Sequence, residues 1–425
     1  MLHLRTWGLA LWVTIFATAS PAADQDLSKR VADLAAEVSP QVVQWRHDFH
    51  AHPELSNREE RTARVVAEQL KALGLDEIRT GVAHHGVVAL IRGTQPGPTV
   101  ALRADMDALP IQENTGLPCA SQNAGVMHAC GHDAHTAILL GAASVLVKLR
   151  GELRGNVKLI FQPAEEGVPA GEKGGAELMV AEGALKDPAV DAIFGLHIKP
   201  EMDVGTLGTR PGVLMANVER FRVIVRGKQS HAAMPWQGVD PIVAAAHVIT
   251  AIQTIPSRHI DARQPVVVSV GIIKAGTAWN IIPGEVYLEG TIRTHDAAVR
   301  EKAIEEFERL VRQTAAAHGA EAEINLSRTT PMVFNEARLT ARMIPSLVRA
   351  AGEGRVVQPE PMMGGEDFAA YLQRVPGMFF FLGVRNPDLG ATHPLHSPQM
   401  RIDEAALPLG VRAMALLALD YLRAP

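Results

Sequence analysis

Residues 133–167 read DAHTAILLGAASVLVKLRGELRGNVKLIFQPAEEG, and this stretch sets the fold class. Ile138, Ala142, Val145 and Leu149 share one face of a helix over 133–149, with Asp133 placed as its N-cap. A β-rich apolar run broken by polar residues follows at 157–167 and ends in the adjacent pair Glu165-Glu166. The same alternation extends outward in both directions. Segments 26–38 and 59–73 read as helices, the second closed by Gly74. Segments 86–93, 99–107 and 191–197 read as strands. Strands alternating with helices predict an α/β domain built on a mostly parallel sheet, with helices on both faces.

The pattern changes near residue 215. VERFRVIVRG (218–227) alternates, with Phe221, Val223 and Val225 opposed to arginines and Ile224. A helix starts at Asp240-Pro241, a cap followed by proline in the first helical position. Strands at 266–273 and 285–294, a helix over 296–317 and a last strand at 322–327 complete the order βαββαβ, a ferredoxin-like unit. An apolar strand at 378–384 and a helix at 402–422 then return to the first style. The expected division is a catalytic domain in two parts, 23–214 and 326–425, carrying an inserted lid and dimerisation domain at 215–325.

A chain of 425 residues is long enough for two cores. With 47% apolar and 20% charged residues, and no basic or acidic block, it reads as globular and not as a nucleic-acid binder. Arg5, the apolar run 7–19 and Ser20-Pro21-Ala22 form a secretory signal over 1–22, which points to a secreted or periplasmic protein. Cleavage removes the +1 of Arg5, taking the formal charge from −5 to −6. No other segment is expected to cross a bilayer. The chain has two cysteines, Cys119 and Cys130, and export would permit a disulfide between them.

That pairing leaves the surroundings of Cys130 unexplained. HACGHDAHTA (128–137) packs three histidines and an aspartate around it, just before a helix N-terminus where the helix dipole favours a thiolate. RADMD (103–107), the glutamates at 165–166 and His197 each follow a strand, at the sheet edge where ligands bind in open parallel sheets. Singly, each has a plain reading: His197 as a hydrogen-bonded loop residue, Glu165-Glu166 as a solvated turn. Together they suit a divalent metal. A structural zinc finger would need more cysteines. A cysteine nucleophile is feasible, with His132 too close in sequence to be the obvious base, but a metal site explains more of these residues.

The chain resembles the metal-dependent amidohydrolases and peptidases that include aminoacylases, hippurate hydrolases and auxin-conjugate hydrolases. The resemblance rests on RADMDALPI (103–111), HACGHDAHTA (128–137), QPAEEG (162–167), GLHI (195–198), SHAAMPWQGVDPI (230–242), NIIPG (280–284), GGEDFA (364–369) and LHSP (395–398). It implies that Cys130, His132, Glu166, His197 and His396 bind up to two divalent ions, of zinc, manganese, cobalt or nickel. It implies that Glu165 is the general base, taking a proton from water and returning it to the departing amine. Asp105 and Asp107 would orient ligands, with His128 and His135 behind them. His231 would reach the substrate's carbonyl oxygen or carboxylate, from a partner subunit in a homodimer joined through the lid; Asn280 and Arg293 would join it at the substrate. The longer Gly/Pro loop at 167–175 departs from relatives near the site. The implied reaction is hydrolysis of N-acyl amino acids. A carboxypeptidase or dipeptidase with the same centre, and a metal-binding protein on the same scaffold, are the alternatives; the spare carboxylate of Glu165 argues against the last.

Overall fold

The computed structural model describes residues 21–423, with side chains from residue 25 onward. The expected export signal lies outside the described residues apart from Pro21 and Ala22, which open helix α1 (Pro21–Ala51). That helix runs well past the expected 38 because its buried stripe continues, from Leu27, Val31 and Ala35 through Val42, Trp45 and Phe49. Then come α2 (Glu60–Ala72), β1 (Ile78–Val82), β2 (Gly86–Arg92), β3 (Gln95–Asp105), α3 (His132–Lys148), β4 (Arg154–Gln162), α4 (Gly175–Ala181), β5 (Ala192–Asp203), β6 (Leu207–Gly208) and β7 (Gly212–Met215). The inserted unit holds β8 (Asn217–Arg226), β9 (Ser230–His231), α5 (Pro241–Ile252), β10 (Val266–Ala275), β11 (Ile281–Ile282), β12 (Glu285–Thr294), α6 (Ala297–Ala317) and β13 (Glu321–Thr330). The chain then returns through β14 (Val333–Asn335), α7 (Ala337–Ala351), β15 (Val356–Val357), α8 (Ala369–Leu372), β16 (Gly377–Arg385) and α9 (Leu407–Arg423).

The large sheet has the order β1-β2-β4-β3-β5-β16-β6-β15. Its centre, β4-β3-β5-β16, is parallel, and antiparallel pairing occurs only nearer the edges. Both faces of the central strands are buried, but unequally. Val100, Leu102, Phe194, Leu196, Phe380 and Leu382 point into a core with α1, α2, α3, α7 and α9. Their alternates, among them Ala101, Ile193 and Phe379, meet the short α4 and α8, the small β7–β14 pair and neighbouring loops. All the long helices therefore lie on one face. On the thinly covered face the pleat places Arg103 and Asp105 at the C-terminal end of β3 and His197 midway along β5.

The inserted unit forms its own sheet, β10-β12-β8-β13, antiparallel throughout. Phe221, Val223 and Val225 pack with α5 and α6 into a separate core. On the opposite face Arg226 pairs with Glu285 and Glu323. Asp240 caps α5, accepting from the amides of Ile242 and Val243.

Three expectations are corrected. His197 does not close its strand: β5 continues to Asp203, because β16 carries the parallel ladder past it, pairing Phe381 with His197 and Gly383 with Lys199. A second apolar segment of span length does exist, Glu404–Arg423, but it packs in the core of the large domain as α9 and its leading turn. Asp133 does not cap α3. The N-cap is Gly131, without a side-chain cap, and Asp133 sits in the first turn. Its Oδ2 accepts instead from Arg46 Nε at 3.0 Å and contacts His50 Nδ1 at 2.8 Å, both on α1. Burial alone would push the Asp133 carboxyl up, but Arg46 and His50 hold it well below the usual range.

Asp133 thus clamps α1 to the helix that carries the site. Asp133→Ala leaves the buried Arg46 with Glu404 alone and the buried His50 with Glu113 alone, so it should cost about 3 kcal/mol in urea denaturation, the lower end for breaking a buried charge pair. Loss of a mere N-cap would cost about 1 kcal/mol.

Candidate metal centre

The metal-ligand and base residues singled out by the sequence come from four separate segments. Cys130 and His132 flank Gly131 at the start of α3. Glu165 and Glu166 follow β4, His197 lies in β5, and His396 lies in a loop after β16. Cys130 Sγ is 3.3 Å from His197 Nε2. His132 Nε2 stands 3.9 Å from Asp105 Oδ2, Glu165 Oε2 and Glu166 Oε1. His396 Nε2 is 3.3 Å from Glu166 Oε1. Potential ligand atoms of Cys130, His132 and His197 lie within 4.8 Å of one another, and the same holds for Cys130, Glu166 and His396.

The backbone is bent to make this cluster. Gly131 has φ +88°, and a Cβ there would lie 2.3 Å from Ile198 Cδ1 on β5. Glycine lets Cys130 and His132 approach the strand that carries His197. His396 holds a left-handed φ of +64° without being glycine, and its amide is fixed on the carbonyl of Ala129 at 2.8 Å. Ala164, just before the glutamate pair, is also left-handed at +55°.

Hydrogen bonds around the histidines set their tautomers. His197 Nδ1 donates to its neighbour's carbonyl, Ile198 O, at 2.6 Å, so the Nε2 lone pair faces Cys130. His132 Nδ1 lies 3.1 Å from Asp107 Oδ1, which turns Nε2 toward the glutamates. Asp107 Oδ2 also accepts from Ser56 and from the Glu166 amide. His135 Nε2 accepts from the amide of Ile198, so its Nδ1 donates to Asp105 at 2.6 Å. Asp105 and Asp107 therefore orient imidazoles, and His135 ties Asp105 to β5. His128 is buried with neither ring nitrogen hydrogen-bonded.

Charge is the unusual quantity here. Burial, then Glu366 and Glu166, push Glu165 well above the usual carboxylate range. Glu366 is pushed up to about 7 and Asp367 to about 6, by burial only partly opposed by Arg103. His132 would be lowered by burial, but Asp105 and Asp107 raise it to about 10. The expected effect of the helix end on Cys130 does not prevail. Burial, Glu166 and Glu165 push the thiol well above its ordinary value, and both cysteines are free thiols. The donors nonetheless fit divalent cations. Among the described residues, His132 Nε2 and Glu166 Oε1 are both buried without a hydrogen-bond partner, 3.9 Å apart, with His396 Nε2 3.3 Å from the glutamate oxygen. A cation among these carboxylates would engage both atoms and favour the thiolate.

Sequence reasoning overlooked three residues of this edge. Arg103, fully buried, donates to Asp105 at 2.6 Å and to Asp367 at 2.9 Å, and lies 3.0 Å from Glu366. RADMD and GGEDFA were visible, but nothing in either says that they meet.

A cavity of about 480 Å³ opens over the cluster. Its floor is Cys130, Glu165, Glu166, His197 and His396, and the inserted unit closes it with Val218, Arg293 and Thr330. His231 and Asn280 do not reach it. Both are exposed and lie beside each other, Ile281 pairing with His231 and the Ala232 amide donating to Asn280 O.

The family description Peptidase family M20/M25/M40 matches residues 101–420. The chain belongs to this family. It is 42% identical to thermostable carboxypeptidase 1 of Saccharolobus solfataricus, over 93% of this chain and 99% of that one. It is 43% identical to an N-acetyl-L-cysteine deacetylase of Bacillus subtilis, over 86% and 85%. A Bacillus subtilis structure described as a dinuclear metal-binding peptidase from the M20 family aligns with a TM-score of 0.77 at 37% identity, covering 92% of this chain and all of that one. This M20-family chain is a metal-dependent hydrolase of the amidohydrolase type.

The Gly131 geometry gives a direct test. Gly131→Ala should weaken binding of a divalent cation, measured by titration of the apo protein, because Cys130 and His132 must shift away from Ile198. Gly125→Ala is the control: its φ is +77° but nothing lies within 4 Å, so only the backbone cost of roughly 1 kcal/mol should appear.

Proposed function

We propose that the chain hydrolyses the amide bond of N-acyl amino acids, giving a carboxylic acid and a free amino acid. In this reading Cys130, His132, Glu166, His197 and His396 hold two divalent ions, zinc, manganese, cobalt or nickel being the candidates. The observation that carries it is the buried Nε2 of His132, which has no hydrogen-bond partner among the described residues although it lies amid Cys130, Glu165 and Glu166. The two similar relatives are named for a carboxypeptidase and an N-acetylcysteine deacetylase. Both names describe cleavage of an amide whose nitrogen belongs to a residue with a free carboxylate. A carboxypeptidase or dipeptidase activity is the second reading, favoured by the 42% identity to the first.

When bound, the ions would supply Lewis acidity to the amide carbonyl and acidify a water. The side chains do the rest. Glu165 is not needed as a ligand and lies at the cavity floor, so it accepts the proton of the attacking water and passes it to the leaving amine. Asp107 and the Ile198 carbonyl keep His132 and His197 in the tautomers that face inward. Arg293, whose Nη1 donates to Met363 O at 2.8 Å on the cavity wall, binds the substrate's α-carboxylate. The inserted domain pairs two chains into a homodimer, and His231 enters the neighbour's cavity as a donor to the developing oxyanion, with Asn280 beside it. Export through residues 1–22 places the enzyme outside the cytoplasm.

Two experiments bear on the roles. Glu165→Gln should keep its metal content while turnover falls at least 10²–10⁴-fold, the scale of general-base catalysis. Parallel loss of metal would make Glu165 a ligand instead. His231→Ala should lower turnover by about 10²–10³-fold with an unchanged melting temperature. Mixing it with Glu165→Gln protein should recover activity, since a hybrid dimer has one site with both residues intact. A verified mixed dimer that stays inactive would exclude donation across the interface.

A further inference from the structure

The cavity wall carries a second cation that the reaction does not require. Lys199 lies two residues beyond His197 on β5, on the same face of the strand, with its Cα about 6.6 Å further along. Its side chain is only 14% exposed and lines the cavity. The ammonium lies 4.9 Å from the centroid of the Phe381 ring and 2.9 Å from Met362 Sδ, a weak acceptor. Its nearest carboxylate is Glu201, at 3.6 Å and 58% exposed, beyond hydrogen-bond length and screened by water. An ammonium this sheltered, with no oxygen acceptor within hydrogen-bonding distance, is complementary to an anion entering the cavity. Arg293 stands in the same wall with only a carbonyl and a hydroxyl as acceptors.

We infer that Lys199 determines specificity by binding a second carboxylate of the substrate, so that the preferred N-acyl amino acid is a dicarboxylate. This rests on the amidohydrolase reading above, in which the first carboxylate belongs to Arg293. The acidic floor does not oppose it, because Arg103 and the bound cations offset those charges. A packing role alone, with the lysine stem covering Phe381, would leave charge selectivity untouched.

Two matched pairs of substrates test this with the metal-loaded enzyme. N-acetyl-glutamate against N-acetyl-glutamine places the second charge on the amino-acid side. N-succinyl-alanine against its terminal amide places it on the acyl side. N-acetyl-methionine, with one carboxylate, is the reference whose hydrolysis tests the amidohydrolase reading by itself. The charged member of one pair should have a kcat/KM about 10- to 100-fold higher, chiefly through KM, and that pair identifies the side. Lys199→Met keeps the packing and drops the charge, so the ratio should collapse toward one, whereas Lys199→Arg should retain it. Lys199→Gln serves the same purpose where the methionine variant misfolds. Ratios near one in the wild type, or a preference that survives loss of the charge, overturn the assignment. Failure to cleave any N-acyl amino acid, the reference included, sinks the amidohydrolase reading and this inference with it.

Discussion

An excess of buried negative charge at one edge of a parallel sheet is the constraint on which the rest of this structure depends. Asp105, Asp107, Glu165, Glu166, Glu366 and Asp367 all converge there, and Arg103 is the buried guanidinium among them. Arg103 answers Asp105, Glu366 and Asp367. Without a further cation the remaining charge shows in the titration of its neighbours: burial and the adjacent carboxylates push Glu165 well above the usual carboxylate range, and Asp105 and Asp107 raise His132 to about 10 against the effect of burial. Divalent ions resolve the same excess more completely, because they let Cys130 ionise and leave the glutamates as carboxylates. The free energy gained by relieving that excess is available for metal affinity.

The scaffold is arranged to tolerate this. Long helices cover one face of the sheet, and the pleat sends every second residue of β3 and β5 toward the other. There the cover is thin enough for a cavity, yet Arg103, Asp105 and His135 remain buried. Helix α3 is locked to α1 by Asp133, Arg46 and His50, so the Cys130–His132 turn rests on a fixed base. Two non-glycine residues with left-handed backbones, Ala164 and His396, lie at this edge, one just before the glutamate pair and one in the cavity floor.

The inserted domain supplies the other half of the pocket. Its strands bring Val218, Arg293 and Thr330 over the acidic floor, while β5 extends past His197 to place Lys199 in the wall. The floor carries the donors that repeat the family's motifs, and the walls carry two cations, Arg293 and Lys199, which we propose read a substrate's charges. His231 and Asn280 are exposed and do not line the cavity of their own chain, which is why their proposed role needs a second one.

The sequence by itself determined the periodic features and the local motifs. Alternation in VERFRVIVRG and the Asp240-Pro241 cap are short-range properties, and each appears in the structure as read. So does the clustering of Cys130 and His132, separated only by the glycine their approach to β5 demands. The helix read at 133–149 forms over His132–Lys148, but it is buried on every side from His132 to Leu146 and not along one stripe. What only the tertiary structure decided involves partners far apart in the chain. Arg103 meets Asp367 across 264 residues, and Asp133 abandons the cap position for an arginine and a histidine 87 and 83 residues earlier. Where β5 ends was likewise set by its neighbour β16, not by its own composition. Burial is the physical reason. It multiplies the cost of an unpaired charge, so which partner a polar residue takes is fixed by who is brought beside it in the core, and no local pattern carries that information.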